Sequence, residues 1–145
     1  MTPVRIAIAL VLIGMAATVA RGQGQAADGS EAAPEALVTR IDTAFTAGDA
    51  QQLLTPATDR VEVSLFGSRT FYSSAQAFYV LDDFFDRHPP THFEVGDATR
   101  AGRSYFVRGR FEHSRDERTL QVYVRLVRRD EAWHLQEVRV DADVE

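Results

Sequence analysis

The 145-residue chain contains no cysteine and no lysine. The first absence excludes a disulfide scaffold, a thiolate metal site and a cysteine nucleophile. The second leaves 16 arginines as the whole basic complement, against 21 acidic residues, for a formal net charge of -5. A chain of that sign is poorly suited to neutralising phosphates, so nucleic acid is not an expected partner. There is no internal repeat. Also missing are a glycine-rich phosphate loop, a serine elbow and a nucleotide fingerprint; Gly67-Ser68 and Gly102 read as turn glycines, and no cofactor is expected. What is present is a hydrophobic fraction of 45% with 10% aromatic residues, enough for one globular domain.

The chain opens with the three-part layout of a secretory signal peptide. Met1 to Arg5 is short and positively charged, Ile6 to Ile13 is unbroken apolar chain, and Thr18-Val19-Ala20 closes a small-residue end. The apolar stretch through Ala20 is shorter than the roughly 20 residues that cross a bilayer as a helix, so cleavage is expected rather than anchoring. Cleavage after Ala20 or after Ala26 fits. The expected product is periplasmic or secreted, meeting the membrane only through residues 1–20 before cleavage. Residues 21–34 carry no large apolar side chain and read as a disordered tether. The domain is expected over residues 35–141, with 142–145 as a tail.

Within it, Leu37, Ile41, Ala44 and Phe45 recur at helical spacing, with Glu35 in the first turn and Gly48 as the stop. Asp49 caps a shorter helix through Leu54, which Pro56 ends. Val61, Val63 and Leu65 alternate with polar residues as a strand, and Gly67-Ser68 turns the chain into a brief strand at 70–72. Ser73 and Gln76 form a capping box for a helix from about Ser74 to Arg87, stopped by His88-Pro89-Pro90.

Four strands follow between Phe93 and Val140. If Ser114 to Glu117 turns the chain, Phe111 faces Leu120, Gly109 faces Val122, Val107 faces Val124 and Tyr105 faces Leu126, which sets an apolar face on both strands at once. For the preceding hairpin, a three-residue loop at 100–102 sets Val95 opposite Val107, with Gly102 as its bulge glycine. Trp133 and Leu135 share one parity while Val138 and Val140 share the other, which predicts a β-bulge at Gln136-Glu137. Helix, short helix, short hairpin, helix and a four-stranded antiparallel sheet make an α+β cone, a curved sheet wrapped around helices.

Gly48-Asp49-Ala50, Tyr72-Ser73-Ser74-Ala75-Gln76-Ala77, Asp83-Phe84-Phe85, Pro89-Pro90 and Gln136-Glu137-Val138-Arg139 carry a family resemblance. In this order they resemble the nuclear transport factor 2-like superfamily, and within it a small secreted bacterial family, domain-of-unknown-function family 4783. The resemblance implies the fold. It transfers no catalytic residue, because the superfamily includes isomerases, dehydratases and polyketide cyclases beside many non-catalytic binding or dimerisation domains.

Three groups of residues are candidates for function. In the register above, Asp97 lies across from Tyr105 toward the cone interior, and the bulge aims Glu137 the same way. A buried carboxylate serves as a general base and a tyrosine hydroxyl steadies an oxyanion, so this trio is the candidate acid/base site of a cofactor-free isomerase or dehydratase. The outer sheet face carries Phe106, Arg108, Arg110, Tyr123 and Arg125 beside Gln121, with Arg108 opposite Tyr123 and Phe106 opposite Arg125. Arginine on aromatics suits an anion, a glycan or a second subunit, and Glu94 and Glu112 balance the charge. Phe71, Phe78, Phe84, Phe85 and Trp133 read as core.

No histidine metal site is expected. A polyproline-like link at ~3.1 Å per residue holds His88 and His92 about 12 Å apart. His113, near Arg118, and His134, near Val127, lie about 30 Å apart along a strand at ~3.3 Å per residue. The leading expectation is a non-catalytic domain that binds a small apolar or amphipathic ligand in the cone, or a protein partner through the sheet. Besides the enzyme, the remaining alternative is a structural module that forms a homodimer.

Overall fold

The computed structural model describes residues 23–143; the segment read as a signal peptide lies outside them. The element order is α1 (Gln23–Ala47), α2 (Ala50–Leu54), β1 (Ala57–Leu65), β2 (Ser68–Ser73), α3 (Ser74–Arg87), β3 (Pro90–Ala101), β4 (Ser104–His113), β5 (Asp116–Arg129) and β6 (Ala132–Ala142). The local signals act as their chemistry dictates. Gly48 takes φ +67° to end α1, and Asp49 accepts from the Gln52 amide at 3.0 Å to start α2. Both hydrogen bonds of the Ser73–Gln76 capping box are present at the start of α3.

α1 begins at Gln23 rather than at Glu35, so residues 23–34 have a helical backbone where an irregular tether is expected, and Glu35 is not in the first turn. A lack of large apolar side chains limits what a segment can bury. It does not stop a helix from propagating out of a packed segment through alanine- and glutamine-rich sequence.

The six strands form one curved sheet in the order β2-β1-β6-β5-β4-β3. The β1–β2 hairpin joins the four-strand meander through a parallel pairing of β1 with β6. α1 packs on β3, β4 and β6, α3 on β1 and β2, and α2 bridges the two helices. Between helices and sheet lies the core, where Phe45 meets Phe85, Phe93 and Phe111 ring to ring. Ile41, Leu53, Leu81, Val107, Val124, Leu126 and Leu135 are almost wholly buried around them.

The β4–β5 register is the expected one, including Tyr105 with Leu126 and Val107 with Val124. The β6 bulge is also present: Arg125 faces Glu137 and Leu126 faces Leu135, leaving Gln136 as the extra residue. The β3–β4 hairpin differs. Ala101 faces Ser104 across a two-residue Gly102-Arg103 turn, with Gly102 at φ +60°, and Gly96 is an unpaired bulge residue. Val95 therefore faces Gly109, and Ala98 takes the place opposite Val107.

Candidate functional site

The β3–β4 pairing, with its two-residue turn and the bulge at Gly96, decides the place of Asp97. It changes the parity of β3, so Asp97 pairs with Arg108 on the outer face of the sheet, exposed, with its Oδ1 accepting from the Thr99 hydroxyl at 3.3 Å. Tyr105 stays on the inner face, half-buried, edge-on to Trp133 at 5.9 Å between ring centroids. Glu137 turns outward, because the bulge spends its extra residue on Gln136 and returns Val138 to the core. Its carboxylate accepts from Arg125 Nε at 3.2 Å. The three side chains are not brought together.

The outer face is assembled as a surface. Cross-strand partners share a face, so one row runs Phe71, Glu62, Glu137, Arg125, Phe106 and the next runs Arg69, Ser64, Arg139, Tyr123, Arg108. Arg108 sits over the Tyr123 ring at 5.7 Å, and Phe106 contacts the same ring at 5.8 Å. Glu62 and Glu137, neighbours across β1 and β6, are both buried on this face, Glu62 paired with Arg69. The exposed part is striped: β3 presents Glu94 and Asp97, and β4 presents Arg108 and Arg110 directly opposite them. Among the described residues neither of these arginines is in an ion pair.

Phe84, Phe85 and Trp133 are core, as read, and Phe78 is half-buried. Phe71 is not core: it stands 57% exposed under the Arg60 guanidinium, 5.6 Å from it, because its pairing with Glu62 places it on the outer face.

The sequence reading missed a histidine pair. His113 faces Asp116 rather than Arg118, and its ring lies 4.9 Å from that of His88. The His88 Nδ1 is 3.0 Å from the Phe84 carbonyl, while the His113 Nδ1 is buried and, among the described residues, has no hydrogen-bond partner. Burial, and secondarily the nearby His88, lower the His113 pKa from the ordinary 6.5 against the opposing pull of Asp116. No group of three or more metal-ligating side chains forms among the described residues.

The family model of a domain of unknown function, DUF4783, matches residues 38–141. Among solved structures, a DUF4783 protein from Bacteroides ovatus is 23% identical, with 73% of this chain and 94% of that one covered at a TM-score of 0.68. One from Bacteroides uniformis is 20% identical, with 74% and 97% covered at 0.68. An NTF-2 like protein of unknown function from Silicibacter pomeroyi is 14% identical, with 81% and 98% covered at 0.57. Among curated proteins none matches.

Proposed function

The chain belongs to the DUF4783 family and has the nuclear transport factor 2-like fold, and from that premise we propose that it is a non-catalytic, secreted or periplasmic module that works through the outer face of its sheet, with a second copy of itself as partner. The observation that carries this reading is the pair of stripes on β3 and β4. Glu94 and Asp97 stand opposite Arg108 and Arg110, so the face carries its own complement. A two-fold axis running between β3 and β4 sets the acidic strand of one copy over the basic strand of the other, the isologous contact that closed dimers use. Phe106, half-buried on β4, adds apolar area within this contact, and Tyr123 on β5 borders it.

Two features weigh against the other readings. Inside the cone Phe45 packs ring to ring on Phe85, Phe93 and Phe111, and Phe85 on Phe111, which weighs against a ligand among these rings. The acid/base residues of the enzyme reading lie on opposite faces of the sheet. The extracytoplasmic location rests on the layout of residues 1–20. Light scattering of the domain begun at Gln23 tests the self-association: a dimer at micromolar concentration supports it, and a monomer rejects it.

A further inference from the structure

The pairing of β1 with β6 is interrupted. Ala57 faces Leu135 and Glu62 faces Glu137, so four residues of β1 stand against the single bulge residue Gln136. Both strands leave the ladder at the same place, and the Thr58 hydroxyl spans part of the gap, 2.5 Å from the Arg60 carbonyl and 3.3 Å from that of Leu135. The gap opens into a recess of about 560 Å³ lined by Thr58, Asp59, Arg60, Phe71, Arg129 and Gln136. That volume is inside the roughly 300–1,000 Å³ range of small-molecule sites.

Its lining has a definite chemistry. Phe71 presents an exposed ring with the Arg60 guanidinium 5.6 Å from its centroid. Arg129 enters from the end of β5, and among the described residues neither arginine is in an ion pair. Two unpaired guanidinium groups against one carboxylate, Asp59, leave the recess positive in a chain whose net charge is negative. The nearby carboxylates of Glu62 and Glu137 are already matched to Arg69 and Arg125.

We propose that this recess binds a small planar anion, an aromatic carboxylate, with its charge held between Arg60 and Arg129 and its ring against Phe71. Arginine fits both demands, since its fork meets a carboxylate in two hydrogen bonds and its plane stacks on a ring. The site does not depend on the dimer, whose stripes lie on β3 and β4.

The test is a titration of the isotope-labelled domain, begun at Gln23, with benzoate, acetate, benzyl alcohol and inorganic phosphate, read by backbone and arginine-side-chain NMR shifts. Benzoate is expected to move the signals of Arg60, Phe71, Arg129 and Gln136 saturably, with a Kd of about 1 mM or below. Acetate and phosphate, which have charge without a ring, and benzyl alcohol, a ring without charge, are expected to bind at least about tenfold more weakly. Arg129→Ala should weaken benzoate by about tenfold, and Arg129→Lys by less because charge remains without the fork. Phe71→Ala should remove the preference for benzoate over acetate. Absence of saturable shifts, shifts located elsewhere, equal affinity for acetate or phosphate, or indifference to Arg129→Ala each overturn the proposal.

Discussion

His113 lies against His88 with ring centroids 4.9 Å apart, pinning the end of α3 to the β4–β5 hairpin. His113 is 8% exposed and its pKa is lowered below 6.5, first by burial and then by His88. Below pH 6.5 the unfolded chain therefore takes up a proton at this position more readily than the folded one. Stability tied to His113 is complete above about pH 6.5 and declines as pH falls toward the folded pKa. Urea unfolding followed from about pH 8 to pH 5 should show this decline, and His113→Phe, which keeps a ring stacked on Phe111, 6.2 Å away between centroids, should flatten it. An equal slope in the variant removes the assignment.

The Arg125–Glu137 pair gives a second prediction. The Glu137 side chain is 10% exposed and that of Arg125 is 31% exposed. Arg125→Ala leaves a buried carboxylate without its cation. The cost expected is about 1–2 kcal/mol, below that of a fully buried pair because Arg125 is partly screened by solvent. Adding Glu137→Gln to that variant should recover part of the loss, since no charge is then stranded. Additive losses in the double variant contradict this account.

Gly109 is a packing requirement. A Cβ there would lie 2.5 Å from the Phe93 ring and 2.9 Å from the Glu94 carbonyl. The ring could shift, but the backbone carbonyl would need β3 to move. Gly109→Ala should cost about 2–3 kcal/mol, and Phe93→Leu in the same chain should not restore it. An alanine variant as stable as the parent rules out this contact.

Much of the fold was legible because apolar residues appear on facing strands together. With a turn near residues 114–117, Val107, Gly109 and Phe111 meet Val124, Val122 and Leu120, and that is the observed register. The bulge at Gln136 was legible because Trp133 and Leu135 disagree in parity with Val138 and Val140. The bulge at Gly96 was not, because its flanking inward residues are Val95 and Ala98, and alanine is a weak marker of a face. Together with the two-residue Gly102-Arg103 turn, this bulge set Asp97 opposite Arg108 instead of Tyr105, while the β6 bulge turned Glu137 outward. The β1–β6 pairing and the His88–His113 contact depend on tertiary closure, which local pattern does not record.

Self-association through the outer sheet face is measured by sedimentation velocity on the domain begun at Gln23 and on two charge-reversed variants, Arg108→Glu with Arg110→Glu, and Glu94→Arg with Asp97→Arg. The parent is expected to be dimeric at micromolar concentration, each variant monomeric, and the mixed variants heterodimeric, since mixing restores acidic strand over basic strand. A monomeric parent, or variants that dimerise as well as the parent, would contradict self-association through this face.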